Sequence, residues 1–171
     1  MIIVKANNLF LIPILLMLLA LAGCFAQPPT PFTNPEGTLY PSIPTLEVAQ
    51  VNLGRKVYQA ACMVCHGSKA EGAPNWMTPD ATGNFLAPPH DDNGHTWHHS
   101  DRVLYEMIRD GMSDPLRPNS PVRMPSFANR LSDSEIRAVI VYFKSLWSPE
   151  YREFQWAQTV DDFLPTPTPS P

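Results

Sequence analysis

Cys62-Met63-Val64-Cys65-His66 carries the strongest chemical signal in the chain. Two thiols at i and i+3 lie close enough to add to the two vinyl groups of one haem. The histidine that follows at once is then held against the iron as proximal ligand. Two other chemistries use such a cysteine pair: a redox dithiol and half of a zinc site. A zinc site calls for a second Cys/His pair at suitable spacing, and the only other cysteine is Cys24. A thioredoxin-like dithiol calls for a βαβ setting, whereas the flanking pattern is helical. The motif therefore predicts one covalent haem c on Cys62 and Cys65, with His66 as an axial iron ligand.

A second concentration of chemically versatile residues follows. His90, His95, His98 and His99 fall within ten positions, with Trp97 among them. One reading is a copper or zinc site near the haem edge. Another makes His98 or His99 the distal iron ligand. The default is a polar loop that bonds propionates or backbone with Trp97 packed inside. Such histidines titrate near pH about 6.5 and would couple protonation to potential. Trp76 and Trp97 are read as aromatic core first and as haem-pocket lining second. Arg117, Arg123 and Arg130 flank Met124 with Asp114 opposing them. They are solvated cations by default, and otherwise propionate partners or a docking rim for an acidic partner.

Helices must position these groups. From Thr45 as N-cap, a helix is expected through Glu47 to about Ala60, with Val51, Leu53, Gly54, Val57, Tyr58 and Ala61 on its buried side. Ser100 can cap a second helix over Asp101–Asp110, stopped by Gly111. Ser132-Asp133-Ser134-Glu135 is a capping box that opens a third helix to about Trp147. Its stripe is Ile136, Val139, Ile140, Phe143, Leu146 and Trp147. Glu150–Phe163 is expected as a short extra helix that packs Tyr151, Phe154 and Trp156 on the domain. No strand signal competes, so the fold class is all-α.

With these pieces placed, Val48 to Trp147 resembles class I, mitochondrial-type cytochrome c. Gly54, Tyr58 and Cys62 are spaced like that family's glycine, aromatic and first haem cysteine. The resemblance implies three main helices wrapped around one haem c, with Gly54 letting the first and last helices cross closely beside Tyr142. It places Leu86-Ala87-Pro88-Pro89 beside the proximal histidine, where a backbone carbonyl would accept from the His66 ring N–H. Met124-Pro125-Ser126-Phe127 looks like the family's distal-methionine segment. Met63 lies between the haem cysteines, and Met107 sits on an apolar helix stripe. Met124 is therefore the first choice for the second axial ligand, with Met77 and Met112 the remaining loop candidates. A thioether there favours Fe(II) and raises the potential.

The ends of the chain speak about location. Lys5, the apolar run from Leu9 to Ala22 and then Leu21-Ala22-Gly23-Cys24 have the layout of a secretory leader. The last four residues resemble a bacterial lipobox, which implies lipidation at Cys24. The expected organisation is a leader over 1–23, a lipid-anchored Pro-rich spacer over 24–45 and a haem domain over 46–148. An extension over 149–164 and a Pro/Thr tail over 165–171 complete it. The spacer, if extended, reaches up to about 60 Å. The formal net charge is −4, which gives no basic face for nucleic acid. The expectation is an electron carrier on the outer face of the cytoplasmic membrane, with redox complexes as donor and acceptor. No small-molecule substrate is expected. The competing classes are a haem peroxidase or gas sensor, which needs an open iron face, and a metal-binding lipoprotein using the histidine loop.

Overall fold

The computed structural model describes residues 31–33, 37–81, 83–112 and 124–163. The leader, Cys24, Arg117, Arg123 and the Pro/Thr tail lie outside these. Five α-helices occur among the described residues: α1 (Val48–Ala61), α2 (Met63–His66), α3 (Asp101–Asp110), α4 (Asp133–Lys144) and α5 (Pro149–Phe163). A 3-10 turn covers Thr96–His98. None of the helices among the described residues is long and apolar enough to cross a membrane.

α1 starts later than expected. Its N-cap is Glu47, in extended backbone and with no side-chain cap, so Thr45 plays no capping part. The buried positions are Gly54, Val57 and Tyr58. Leu53 is exposed rather than inward, because it lies about 100° around the helix from Gly54. The break at Cys62 separates α1 from the single turn of α2.

α3 and α4 begin as their sequences predict. The Ser100 hydroxyl accepts from Val103 N–H at 3.2 Å. Ser132 and Glu135 form the reciprocal capping box, with Ser132 N–H donating to Glu135 Oε2 at 2.9 Å. α4 stops at Lys144, short of Trp147, because its final turn tightens: Leu146 N–H bonds the Phe143 carbonyl at 2.9 Å. That tightening carries Trp147 round until its indole N–H donates to the His90 carbonyl at 2.8 Å.

The core lies where α1 crosses α4. A Cβ added at Gly54 would overlap the Ala138 carbonyl and come within 2.8 Å of Tyr142 Cβ. Only glycine allows that approach, and it brings Tyr58 against Tyr142 and Phe143, with ring centroids 5.3 and 6.0 Å away. Val57, Leu104, Ile108, Phe127, Ile136, Val139 and Ile140 complete the apolar interior.

Two departures concern the flanks. A short antiparallel pair, β1 (Phe32–Thr33) with β2 (Leu39–Tyr40), stands where no strand was expected. Stacking of Phe32 on Tyr40, with centroids 5.1 Å apart, holds it. The Tyr40 hydroxyl donates to Asp161, and the Trp156 indole N–H donates to the Pro41 carbonyl at 2.8 Å. The expected spacer is thus docked on α5 at Tyr40 and Pro41. α5 has Pro149 at its first position, where the missing N–H is harmless. Its buried residues are Gln155 and Thr159, whereas Tyr151 and Trp156 are half-buried and Phe154 is exposed.

Candidate functional site

α1 delivers Cys62, and the one-turn helix α2 delivers Cys65 and His66. Cys62 and His66 are buried while Cys65 is exposed. The turn is pinned from within. Cys65 and His66 N–H both bond the Cys62 carbonyl, at 3.1 and 3.0 Å. The wholly buried Tyr58 hydroxyl donates to the Gly67 carbonyl at 2.6 Å. The sequence placed Tyr58 on the buried side of the helix and in the family's spacing, but gave no sign of this hydrogen bond. Burial pushes the Cys62 thiol up to about 11, with neighbouring Cys65 adding to the rise and Arg130 opposing it.

His66 Nδ1 lies 2.9 Å from the Pro88 carbonyl. A carbonyl only accepts, so Nδ1 carries the proton and Nε2 keeps its lone pair. Burial lowers the His66 pKa, and the Pro88 bond works weakly against that. The ring is therefore a neutral imidazole with one fixed tautomer, the form that ligates a metal. The loop that supplies the carbonyl is seated by Ala73 N–H on the Ala87 carbonyl at 2.9 Å.

Met124 sits at the C-terminal end of α3. Met112 N–H bonds the Met124 carbonyl at 3.0 Å in an isolated antiparallel bridge. The chain is then clamped onto the Arg109 carbonyl by Phe127 N–H at 3.0 Å, Ala128 N–H at 2.9 Å and the Ser126 hydroxyl at 2.7 Å. Gly111 makes this fit, with φ of +78° and no room for a Cβ against the Met124 carbonyl and Ser126 N. Met124 packs against the apolar core, whereas Met77 and Met112 are more exposed. Arg130 lies over the Phe127 ring, 5.0 Å from its centroid.

The four clustered histidines do not converge on one point. Among the described residues no group of three or more His, Cys, Asp or Glu is placed to hold a metal ion. His90 is buried behind His66, with ring centroids 4.2 Å apart. His95 stacks on Trp76 at 5.4 Å and meets His99 edge-on at 5.6 Å. His98 stacks on Trp97 at 3.9 Å, and Trp97 in turn stacks on Tyr151 at 4.0 Å. Packing against different neighbours separates His90 and His98 from the His95–His99 pair. His90 as a core residue was missed. The available signal was its position directly after Pro88-Pro89, the segment already placed beside His66.

The residues present fit a haem c by their donor set: two cysteines one helical turn apart and a neutral imidazole with a free Nε2. A family model described as Cytochrome c matches residues 51–147, more than half of the chain. Among solved structures, cytochrome cL from the marine methylotrophic bacterium Methylophaga aminisulfidivorans is similar at a TM-score of 0.43 and 20% identity, over 71% of this chain and 72% of that one. No curated protein matches the sequence as a relative. A CxxCH turn braced by Tyr58, a proximal-type histidine held by a proline carbonyl, and a family match across this whole helical core place the chain in the class I cytochrome c family, whose members carry covalently attached haem c and transfer electrons.

Proposed function

We propose that the chain is a membrane-tethered monohaem electron carrier, with haem bonded through Cys62 and Cys65 and iron held between His66 and Met124. The observation that carries this reading is the His66–Pro88 hydrogen bond of 2.9 Å, which commits Nδ1 and leaves Nε2 for the iron. When bound, the haem supplies a one-electron Fe(III)/Fe(II) couple. The chain's own residues do the rest. Pro88 orients His66. Tyr58 fixes the turn after it. The Arg109 carbonyl and Gly111 set the place of the Met124 segment. The apolar interior around Val57, Phe127 and Phe143 keeps water away and favours the less charged reduced state.

Cys24 serves as the lipid anchor, which confines the carrier near donor and acceptor complexes on the exported side. Support is the leader pattern from Lys5 to Cys24.

Visible spectra of the haem-loaded protein test the redox reading. A low-spin haem c spectrum with the weak far-red band of ferric iron bound to methionine sulfur is expected. Met124→Ala should abolish that band and open the reduced protein to carbon monoxide. Rapid carbon monoxide binding by the unaltered protein would reject the closed carrier. Fatty-acid labelling that disappears in Cys24→Ser, with release of the chain from membranes, tests the anchor.

A further inference from the structure

The ring of His90 is over-determined. Its backbone N–H donates to the Ala70 carbonyl at 2.8 Å, and its carbonyl accepts from the Trp147 indole N–H at 2.8 Å. Its Nδ1 lies 2.8 Å from Thr96 Oγ1. Thr96 Oγ1 also lies 3.3 Å from the Pro89 carbonyl. A hydroxyl both donates and accepts, so Thr96 holds the His90 ring at Nδ1 in either tautomer. One face of the His90 ring lies against Phe143, with centroids 4.1 Å apart and planes 23° apart. The other side lies against His66, with centroids 4.2 Å apart and planes 31° apart. Tyr58 closes the edge, nearly perpendicular at 6.5 Å.

His66 has one hydrogen bond, through Nδ1, and a single hydrogen bond tolerates a spread of angles and so leaves the ring some freedom about Cβ–Cγ. The aromatic ring that lies against it is His90. An aliphatic side chain there would fill volume but could not be locked by Thr96, and its rotamers would leave the neighbouring plane less defined.

We propose that His90 is a positioning residue for the axial histidine: locked by Thr96 and backed by Phe143, it sets the plane of the His66 imidazole about the iron–nitrogen axis. The inference rests on the reading of His66 as axial ligand. The orientation of an axial imidazole shapes the electronic structure of ferric haem, so the consequence is spectroscopic as well as energetic.

The test uses the haem-loaded full chain and four variants: His90→Leu, His90→Phe, Thr96→Val and Thr96→Ser. Electron paramagnetic resonance of the ferric form and the midpoint potential are recorded for each. His90→Leu and Thr96→Val are expected to shift or broaden the largest g value and to shift the potential. Thr96→Ser, which keeps the hydroxyl, is expected to restore both. His90→Phe keeps a ring without the lock and should resemble Thr96→Val. If Thr96→Val lowers only the thermal midpoint and leaves g values and potential unchanged, His90 is mere filling and the proposal falls. A different result separates the two readings: a low-spin spectrum that survives His66→Gly would reject the axial assignment itself.

Discussion

Gly54 decides how closely α1 and α4 approach, and so how Tyr58 and the haem cysteines are presented. Alanine there drives a methyl into the Ala138 carbonyl and toward Tyr142 Cβ. Overpacking of this kind typically costs about 1–3 kcal/mol, because helices must separate to admit the group. Denaturant unfolding of haem-loaded Gly54→Ala should show a lower midpoint with little change in slope; an unchanged midpoint would mean the crossing is more plastic than the geometry implies. The Cys62, Cys65 and His66 motif was readable from its spacing alone, and the family resemblance placed the Pro88 carbonyl that His66 meets. His90 was not readable in that way. A histidine buried behind His66 and a histidine on a loop look alike in one dimension, because the difference lies in Thr96 and Phe143, which the fold brings to it.

The same contrast holds for elements. The α4 start was legible from four residues, since a capping box is local chemistry. The aromatic contacts of α5 were legible too: Tyr151 and Phe154 meet Trp97, with centroids 4.0 and 5.6 Å away, and Trp156 reaches Pro41. The buried polar pair of α5, Gln155 and Thr159, was not, because a polar residue on a helix carries no mark of burial in the sequence. The Gln155 amide donates to Asp101 Oδ1 at 2.7 Å and to the His99 carbonyl at 3.2 Å. Lys144 pairs with the same aspartate at 2.7 Å. Gln155→Leu should destabilise the protein by about 1–3 kcal/mol, since it strips the buried Gln155 amide from two half-buried acceptors. Phe154→Ala removes a partly exposed ring that meets Trp97 and His98 edge-on, and should cost about 0.5–1.5 kcal/mol. A larger cost for Phe154→Ala than for Gln155→Leu would mean the aromatics, not the polar pair, hold α5. Asp162 gives α5 a pH response. Its carboxylate accepts from Arg102 at 2.7 and 2.8 Å and from the Ser100 hydroxyl at 2.7 Å, and these bonds lower its pKa. At acid pH the unfolded chain then binds the proton more readily than the folded one. The contribution is complete above the ordinary aspartate value of about 3.9 and is lost as pH falls through the lower folded value. Asp162→Asn should flatten that limb of the stability profile, and a superimposable acid limb would remove Asp162 from the account.

For the whole molecule, the family match ends at residue 147, whereas the structure continues into α5 and reaches back to Tyr40 and Pro41. Tyr40, Pro41 and α5 therefore brace a core in which the proposed haem-binding residues run from Cys62 to Met124. The brace grips α3 at its start: Asp101 N–H donates to Thr159 Oγ1 at 3.1 Å, and Arg102 pairs with Asp162. It also supports the Thr96–His98 turn through the Trp97–Tyr151 stack. None of these contacts touches Cys62, Cys65, His66 or Met124. A chain ending after Ser148 should then still take up haem covalently and show the same low-spin spectrum. It should unfold earlier, because Asp101 and the His99 carbonyl lose buried partners and Trp97 loses a stacked face. A loss of about 2 kcal/mol corresponds to a melting midpoint lower by roughly 8–16 °C for a domain of about 100 residues. Hydrogen exchange should locate the loss at Ser100–Leu104 and leave the α1–α4 crossing protected. If the shortened chain instead lost its low-spin spectrum, α5 would be part of the haem site, and the separation of brace from core would have to be abandoned.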